Sequence, residues 1–245
     1  MQRRLIAANW KMHGSKAEAL EWISRLGAGV FSSGMFSQTE LLLCPPATLL
    51  GSEAVQEAAR ARGVVLGGQL AHEAAKGAYT GDISAVMLAE CGARYAIVGH
   101  SERRQGHGES DAFVRAQARC CLEAGLRPII CVGETLAVRE AGKAESFVAT
   151  QLAASLPSGL LERESLVIAY EPVWAIGTGV VAHFEQIAAM HALLRSKAPQ
   201  GTRLLYGGSV KPDNAAQIFA CKDVDGALVG GASLDADAFS RIVAG

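Results

Sequence analysis

Ten consecutive residues, Tyr170 to Gly179 (YEPVWAIGTG), combine a carboxylate with the composition of a loop that could cover a site. Glu171 directly follows an apolar run, Leu166–Tyr170, which is typical of a strand. Pro172 removes a backbone donor, so the strand should end there. Apolar residues then lead to Gly177-Thr178-Gly179, whose glycines allow the backbone to swing. The segment indicates either a closing lid with Glu171 as a general base, or an ordinary loop with a solvated glutamate.

The composition limits the class of protein that can carry this carboxylate. The chain has 245 residues, of which 50% are hydrophobic, enough for one large α/β barrel or two modest domains. A net charge of −1 argues against a nucleic-acid or anionic-membrane partner. We find no signal-peptide pattern and no apolar run approaching the roughly 20 residues that span a bilayer. Six scattered cysteines without a CxxC pair favour a reduced, cytoplasmic protein with mostly buried thiols.

Short apolar runs recur along the whole chain, with room for a helix between each pair. They read as continuous rather than alternating, as expected of parallel strands that are covered on both faces. The runs are Leu5–Ala8, Leu41–Cys44, Val64–Leu66, Tyr95–Val98, Pro128–Val132, Leu166–Tyr170, Arg203–Tyr206 and Ala227–Val229.

Helical patterns lie between these runs, at Ser110–Glu123, Phe184–Leu194 and Asn214–Phe219. Eight strand–helix units without a linker predict a single α/β domain over residues 1–245, a closed eight-stranded parallel (β/α) barrel of the TIM type. The alternative is a doubly wound open sheet, which would need a phosphate or dinucleotide fingerprint after an early strand. No such fingerprint is present, since Gly142-Lys143 is followed by alanine rather than serine or threonine.

In such a barrel, catalytic groups lie at the carboxyl ends of the strands. The polar residues at those ends are Asn9 and Lys11, His100 to Glu102, Glu171, Gly207 to Ser209, and Gly230-Gly231. The two glycine pairs follow the last two strands, and each is predicted to precede a helix. Glycine lets backbone N–H groups approach an anion closely, and a helix N-terminus adds partial positive charge. Together they predict a phosphate site, although each pair alone could simply form a tight turn. Lys11 would supply a cation there; the alternatives are a solvated lysine and a Schiff-base lysine.

His100 follows a strand and precedes Ser101-Glu102-Arg103-Arg104. If this segment begins a helical turn, its N–H groups point at the imidazole and disfavour the imidazolium. A neutral His100 paired with Glu171 suits proton abstraction next to a carbonyl. No HExxH pattern and no carboxylate cluster is present, so we expect no metal.

The chain closely resembles the triosephosphate isomerase family. The resemblance rests on motifs that follow one another along essentially the whole chain. They are AANWKMHGS (Ala7–Ser15), GAYTGDISA (Gly77–Ala85), VGHSERR (Val98–Arg104), CVGET (Cys131–Thr135), YEPVWAIGTG, YGGSVKPDN (Tyr206–Asn214) and VGGASL (Val229–Leu234).

The resemblance implies a cytoplasmic enzyme of glycolysis and gluconeogenesis that interconverts dihydroxyacetone phosphate and glyceraldehyde 3-phosphate without a cofactor. It assigns Glu171 as the base, His100 as the electrophile, and Lys11 and Asn9 as residues that anchor the substrate. It implies further roles for other residues: phosphate binding for Gly177, Ser209, Gly230 and Gly231, an apolar clamp for Ile176 and Leu228, and support beside the site for Glu102 and Cys131.

The resemblance also implies a homodimer, in which the loop Gln69 to Asp82 enters the partner and Thr80 approaches the partner's Lys11 and Asn9. Leu70 stands where the family usually has Asn or Asp, which predicts an interface of altered polarity. Two alternatives to the three-carbon reaction are a relative that acts on a four-carbon sugar phosphate and an inactive barrel used as a scaffold. The second would lack Lys11, His100 or Glu171, and all three are present.

Overall fold

The structure is a computed structural model, and it describes residues 3–26, 38–159, 166–177 and 181–245. The predicted lid is therefore described as far as Gly177, whereas Thr178 and Gly179 lie outside the described residues.

Eight parallel strands form one closed barrel in sequence order, with β1 paired to both β2 and β8. This confirms the predicted fold class. The strands are β1 (Arg4–Asn9), β2 (Thr39–Cys44), β3 (Val65–Gly68), β4 (Tyr95–Val98), β5 (Arg127–Val132), β6 (Val167–Tyr170), β7 (Arg203–Tyr206) and β8 (Gly226–Val229).

Helices follow the strands around the outside of the barrel. In the described ranges they are α1 (Lys16–Arg25), α2 (Ala47–Leu50), α3 (Glu53–Ala61), α4 (Ala85–Glu90), α5 (Ser101–His107), α6 (Asp111–Glu123), α7 (Leu136–Glu140), α8 (Ala144–Ser155), α9 (Phe184–Lys197), α10 (Ala215–Ala220) and α11 (Ala236–Ala244). Short 3-10 turns follow β6 at Val173–Ala175 and β8 at Gly231–Ser233.

The three helices predicted from sequence are present. Ser110 caps α6, accepting a hydrogen bond from the backbone N–H of Phe113, so the helix itself begins one residue later than predicted. Helix α9 continues beyond Leu194 to Lys197. None of the helices in the described ranges is long and apolar enough to cross a membrane.

The continuous apolar character of the strands reflects burial on both faces. In β1, Leu5 and Ala7 point into the barrel, whereas Ile6 and Ala8 pack in the layer between the barrel and the helices. The side chains that point inward fill the interior of the barrel. These buried residues are Leu5, Ala7, Leu42, Cys44, Tyr95, Ile97, Ile129, Cys131, Val167, Ala169, Leu205 and Leu228.

Two strands extend into glycines that the sequence pattern excluded. Strand β3 reaches Gly68, and a Cβ atom on Gly67 would lie 2.9 Å from the sulfur of Cys44. Strand β8 begins at Gly226, where a Cβ atom would lie 1.9 Å from the carbonyl oxygen of Leu5. Glycine is needed at these positions because neighbouring strands and side chains approach closely, although the same residue reads as a break in a sequence pattern.

Candidate active site

The residues predicted to form the site line one cavity of about 260 Å³ at the carboxyl ends of the strands. Its lining includes every predicted site residue: Asn9, Lys11, His100, Glu171, Gly177, Ser209, Gly230 and Gly231. Ile176 and Leu228, the two residues of the implied apolar clamp, line the same cavity. The barrel thus brings together side chains from the first to the last strand.

Glu171 follows β6 directly and is 2% exposed. Its backbone N–H donates to the carbonyl oxygen of Val132 at 2.8 Å, which continues the β5–β6 pairing past the end of β6. Its carboxylate oxygen Oε2 accepts a hydrogen bond from the N–H of Ser101 at 2.8 Å. The other oxygen, Oε1, lies 2.9 Å from Nε2 of His100 but lacks the alignment of a hydrogen bond. This oxygen is therefore available to take a proton.

His100 precedes α5 and acts as its N-cap. Its Nδ1 accepts a hydrogen bond from the backbone N–H of Glu102 at 3.3 Å, as expected if the segment after it starts a helical turn. Because Nδ1 accepts, the single ring proton of a neutral imidazole lies on Nε2, the atom beside Glu171.

Two opposing effects act on the pKa of His100. Burial lowers this pKa most strongly, but the adjacent Glu171 carboxylate raises it, and the net direction is upward. A raised pKa favours the protonated imidazolium, whereas the acceptor role of Nδ1 requires a neutral ring. The neutral ring fits the geometry, because a protonated Nδ1 would face the N–H of Glu102. The upward effect of Glu171 on the pKa also disappears once that carboxylate takes a proton.

Lys11 has the left-handed backbone conformation, with a φ of 52°. Its backbone N–H donates to Oδ1 of Asn9 at 3.1 Å, and its carbonyl oxygen accepts from Nε2 of Gln69 at 2.8 Å. These two bonds hold a conformation that side chains disfavour, as is common at functional sites. They aim the Lys11 ammonium into the cavity.

The ammonium nitrogen of Lys11 lies 2.6 Å from Oε1 of Glu102. Burial raises the pKa of Glu102, but Lys11 and His100 together lower it overall. The sequence resemblance placed Glu102 only beside the site, and the direct contact with Lys11 could not be read from the sequence.

The glycine pairs line the same cavity as Lys11 and Glu171. A Cβ atom on Gly230 would lie 3.3 Å from Cε of Lys11, so the lysine side chain passes close to this glycine. Neither pair stands directly at the start of an α-helix: Gly231 opens a 3-10 turn, and α10 begins only at Ala215, beyond Ser209. The cavity therefore offers glycine backbone and Lys11, rather than an α-helix N-terminus, to an anion. Lys211, which the sequence analysis did not single out, lines it as well.

A buried carboxylate holds the root of the predicted lid. Trp174, in the 3-10 turn after Glu171, donates from Nε1 to Oε1 of Glu134 at 2.9 Å. The same oxygen accepts from the Tyr170 hydroxyl at 3.2 Å and from Arg139 at 2.7 Å. Glu134 lies in the CVGET motif, but its sequence position gave no sign of this contact.

Cys131 lies in the barrel interior near Glu171, and burial raises the pKa of its thiol. It is therefore a packed, protonated thiol rather than a nucleophile. Among the described residues, no group of three His, Cys, Asp or Glu side chains could hold a metal ion.

These residues form an acid–base site at the mouth of a (β/α)8 barrel, with a carboxylate beside an imidazole and a lysine beside glycine backbone. Comparisons with known proteins narrow the class to one family. The model of the triosephosphate isomerase family matches residues 4–245. The chain therefore belongs to the triosephosphate isomerase family.

Individual relatives agree with this assignment. The chain is 55% identical to the triosephosphate isomerase of Ruegeria pomeroyi, over 99% of this chain and 97% of that protein. It is 50% identical to the triosephosphate isomerase of Hyphomonas neptunium, over 99% and 98% of the two chains. A crystal structure of triosephosphate isomerase from Bartonella henselae matches with a TM-score of 0.84 at 44% identity, covering 98% of this chain and 97% of that one. The chain is thus an isomerase of the glycolytic family that interconverts triose phosphates.

Proposed function

We propose that this isomerase interconverts dihydroxyacetone phosphate and D-glyceraldehyde 3-phosphate with Glu171 as the base that moves the proton. One observation carries the proposal. The buried carboxylate has an oxygen without a hydrogen bond, 2.9 Å from Nε2 of His100, in a cavity that also holds Lys11 and the two glycine pairs.

The reaction needs one group that moves a proton between two carbons and one that moves a proton between two oxygens. Glu171 and His100 supply these two groups. Glu171 takes a proton from C1 of the ketone, while His100 donates its Nε2 proton toward the carbonyl oxygen at C2, giving an enediol(ate). His100 then exchanges protons between the two substrate oxygens, and Glu171 returns its proton to C2. No electrons enter or leave, so no cofactor or metal is part of the proposal.

The remaining cavity residues hold the substrate. Lys11 and Asn9 bind its oxygens, and the backbone of Gly177, Ser209, Gly230 and Gly231 surrounds the phosphate, where glycine allows close approach. Ile176 and Leu228 pack over the base when the lid closes. Excluding water in this way protects the intermediate.

The substitution Glu171→Gln tests the base directly. We expect turnover to fall roughly 10²–10⁴-fold, the usual range for a lost general base, while phosphate binding persists. Glu90→Gln, at an exposed site at the end of α4, is the matched control and should leave turnover unchanged. Full turnover in Glu171→Gln would assign the base to another residue.

The same assay, run on four-carbon sugar phosphates, decides the substrate. Glyceraldehyde 3-phosphate should be preferred over erythrose and erythrulose phosphates. A preference for a four-carbon substrate would keep the mechanism but change the reaction. No turnover on any of these substrates would favour a scaffold.

The dimer implied by the family resemblance is part of the proposal. Met12 is 93% exposed, and Tyr79 and Met87 are also largely exposed apolar side chains. Leu70 and Met12 line a second cavity of about 290 Å³, which also reaches Lys11 and could receive a partner's loop. An unpaired surface of this kind favours a second copy of the chain, docked through Gln69 to Asp82.

Sedimentation at micromolar concentration tests the dimer. The wild type should sediment as a dimer, and Met12→Asp should shift it toward monomer with reduced activity. An exposed control, Lys16→Asp, should remain dimeric. A wild-type monomer with full activity would contradict this part of the proposal.

A reducing, cytoplasmic location also belongs to the proposal. All six cysteines are free, and burial raises the pKa of Cys121 to about 12. Protein isolated from its source cells without reductant should release six titratable thiols on denaturation. Fewer thiols would contradict a reduced state.

A further inference from the structure

The end of β5 and the segment after it run alongside Glu171 to Val173, and two backbone hydrogen bonds tie the two segments together. The N–H of Glu171 donates to the carbonyl oxygen of Val132 at 2.8 Å. The N–H of Val173 donates to the carbonyl oxygen of Glu134 at 3.2 Å. The residue between these two acceptors is Gly133, which therefore faces the peptide group of Glu171.

Gly133 lies too close to Glu171 for any side chain. A Cβ atom at position 133 would lie 1.7 Å from the carbonyl oxygen of Glu171 and 2.6 Å from its carbonyl carbon. The contact is with backbone, which cannot turn away as the tip of a flexible side chain can. The backbone position of Glu171 therefore depends on where Gly133 lies.

Gly133 is in turn held by Gln151, which lies on α8 and is only 8% exposed. Its Oε1 accepts a hydrogen bond from the N–H of Gly133 at 2.8 Å. This bond links the outer helix to the segment that abuts Glu171. Gln151 itself lines a smaller cavity behind Glu171, outside the candidate active-site cavity.

We propose that Gln151 is a positioning residue for the catalytic base, acting through Gly133 on the backbone of Glu171. The inference rests on the proposed function, because it assumes that Glu171 is the base. We expect Gln151 to affect turnover because proton transfer requires accurate placement of the Glu171 carboxylate. Small misplacements of a catalytic group slow turnover severely. Ser209, Gly230 and Gly231, which are proposed to bind the phosphate, follow β7 and β8 rather than β5, so phosphate binding should not depend on this contact.

Gln151→Met keeps the length of the side chain but removes the acceptor for Gly133. We expect kcat to fall about tenfold or more, on the scale of a misplaced catalytic group, with KM and the inhibition constant of inorganic phosphate nearly unchanged. Gln56→Met is the matched control, because Gln56 also bonds a backbone group, the carbonyl oxygen of Leu50, but from α3 and away from the site. It should leave kcat unchanged.

Gly133→Ala provides a second, independent perturbation of the same contact. It should lower kcat more than Gln151→Met does, because the added Cβ atom must displace the Glu171 peptide. Gly106→Ala in α5 is its control, since a Cβ atom there meets nothing within 4 Å. If Gly133→Ala fails to fold, Gln151→Met still decides the question.

A double-mutant cycle separates this inference from the proposed function. If Gln151 acts through Glu171, adding Gln151→Met to Glu171→Gln should cause little further loss of kcat. If the losses of kcat from the two substitutions multiply in the double variant, Gln151 acts elsewhere and the inference is overturned. An unchanged kcat in a folded Gln151→Met protein, even one with a lower Tm, would overturn it as well. Full activity in Glu171→Gln alone would instead overturn the proposed function.

Discussion

The ammonium nitrogen of Lys11 and a carboxylate oxygen of Glu102 lie 2.6 Å apart, although the two residues follow β1 and β4. The pair gives the lysine a counter-charge at the mouth of the cavity. The left-handed backbone of Lys11, held by Asn9 and Gln69, fixes where this charge lies. An anionic substrate would therefore meet a cation that is already positioned.

Lys11→Met should weaken substrate binding more than it changes folding. Loss of a charge-assisted hydrogen bond, about 1.5–3 kcal/mol, corresponds to roughly a 10- to 150-fold rise in KM. Steady-state kinetics would measure this, with Lys16→Met at the exposed start of α1 as the control. An unchanged KM would mean that Lys11 is only a surface lysine.

The pKa of His100 should fall when Glu171 is replaced by Gln. The carboxylate is what raises this pKa, so its removal leaves burial, which lowers it, as the main influence. The imidazole should then stay neutral to lower pH than in the wild type. Titration of the His100 ring signals by NMR would measure the shift, and a higher pKa in the variant would contradict the assigned cause.

His191 should make the protein less stable at acid pH. Burial lowers its pKa to about 4, whereas the unfolded chain takes up a proton near pH 6.5. Between these values the unfolded state binds the extra proton, so the free energy of unfolding falls as pH drops, by on the order of 3 kcal/mol in full. Urea denaturation from pH 7 to 4 would measure the slope, which should flatten in His191→Phe but not in His13→Phe.

Glu40→Ala should destabilise the fold without touching the chemistry. Glu40 accepts a hydrogen bond from the buried Arg203 guanidinium at 2.6 Å and one from the Tyr95 hydroxyl at 3.0 Å, toward the amino ends of the strands. Removing the carboxylate leaves the buried Arg203 charge without a counter-charge, although its hydrogen bond to the Tyr95 hydroxyl remains, and should cost about 3–5 kcal/mol in the free energy of unfolding. Glu57→Ala, exposed on α3, is the control, and kcat of the folded protein should not change.

Much of the molecule follows from the sequence, because the strands are continuous apolar runs and the motif residues stand at their ends. All eight strands were found, with some ends shifted by one or two residues; at β3 and β8 the strand extends into a glycine. The site residues could be grouped because a parallel barrel places every strand's carboxyl end at one mouth. The sequence also predicted that a helical turn begins after His100, and the structure has His100 as the N-cap of α5.

The contacts between distant elements could not be predicted. The pairing of Lys11 with Glu102, of Trp174 with Glu134, and of Arg203 with Glu40 depends on the register of strands and on side-chain rotamers. A sequence pattern gives which face a residue occupies, not which atom it meets. The same holds for Gly133, whose importance appears only when the distance to the Glu171 peptide is measured.

The pairing of β1 with β8 has a consequence for how this chain meets other chains. A closed sheet has no free edge, so another polypeptide cannot extend it by adding a strand. Association must therefore use side chains on loops and helices, whose shapes are more selective than a row of backbone donors and acceptors. Closure of the sheet thus protects a protein with eight strongly apolar strands from edge-to-edge aggregation.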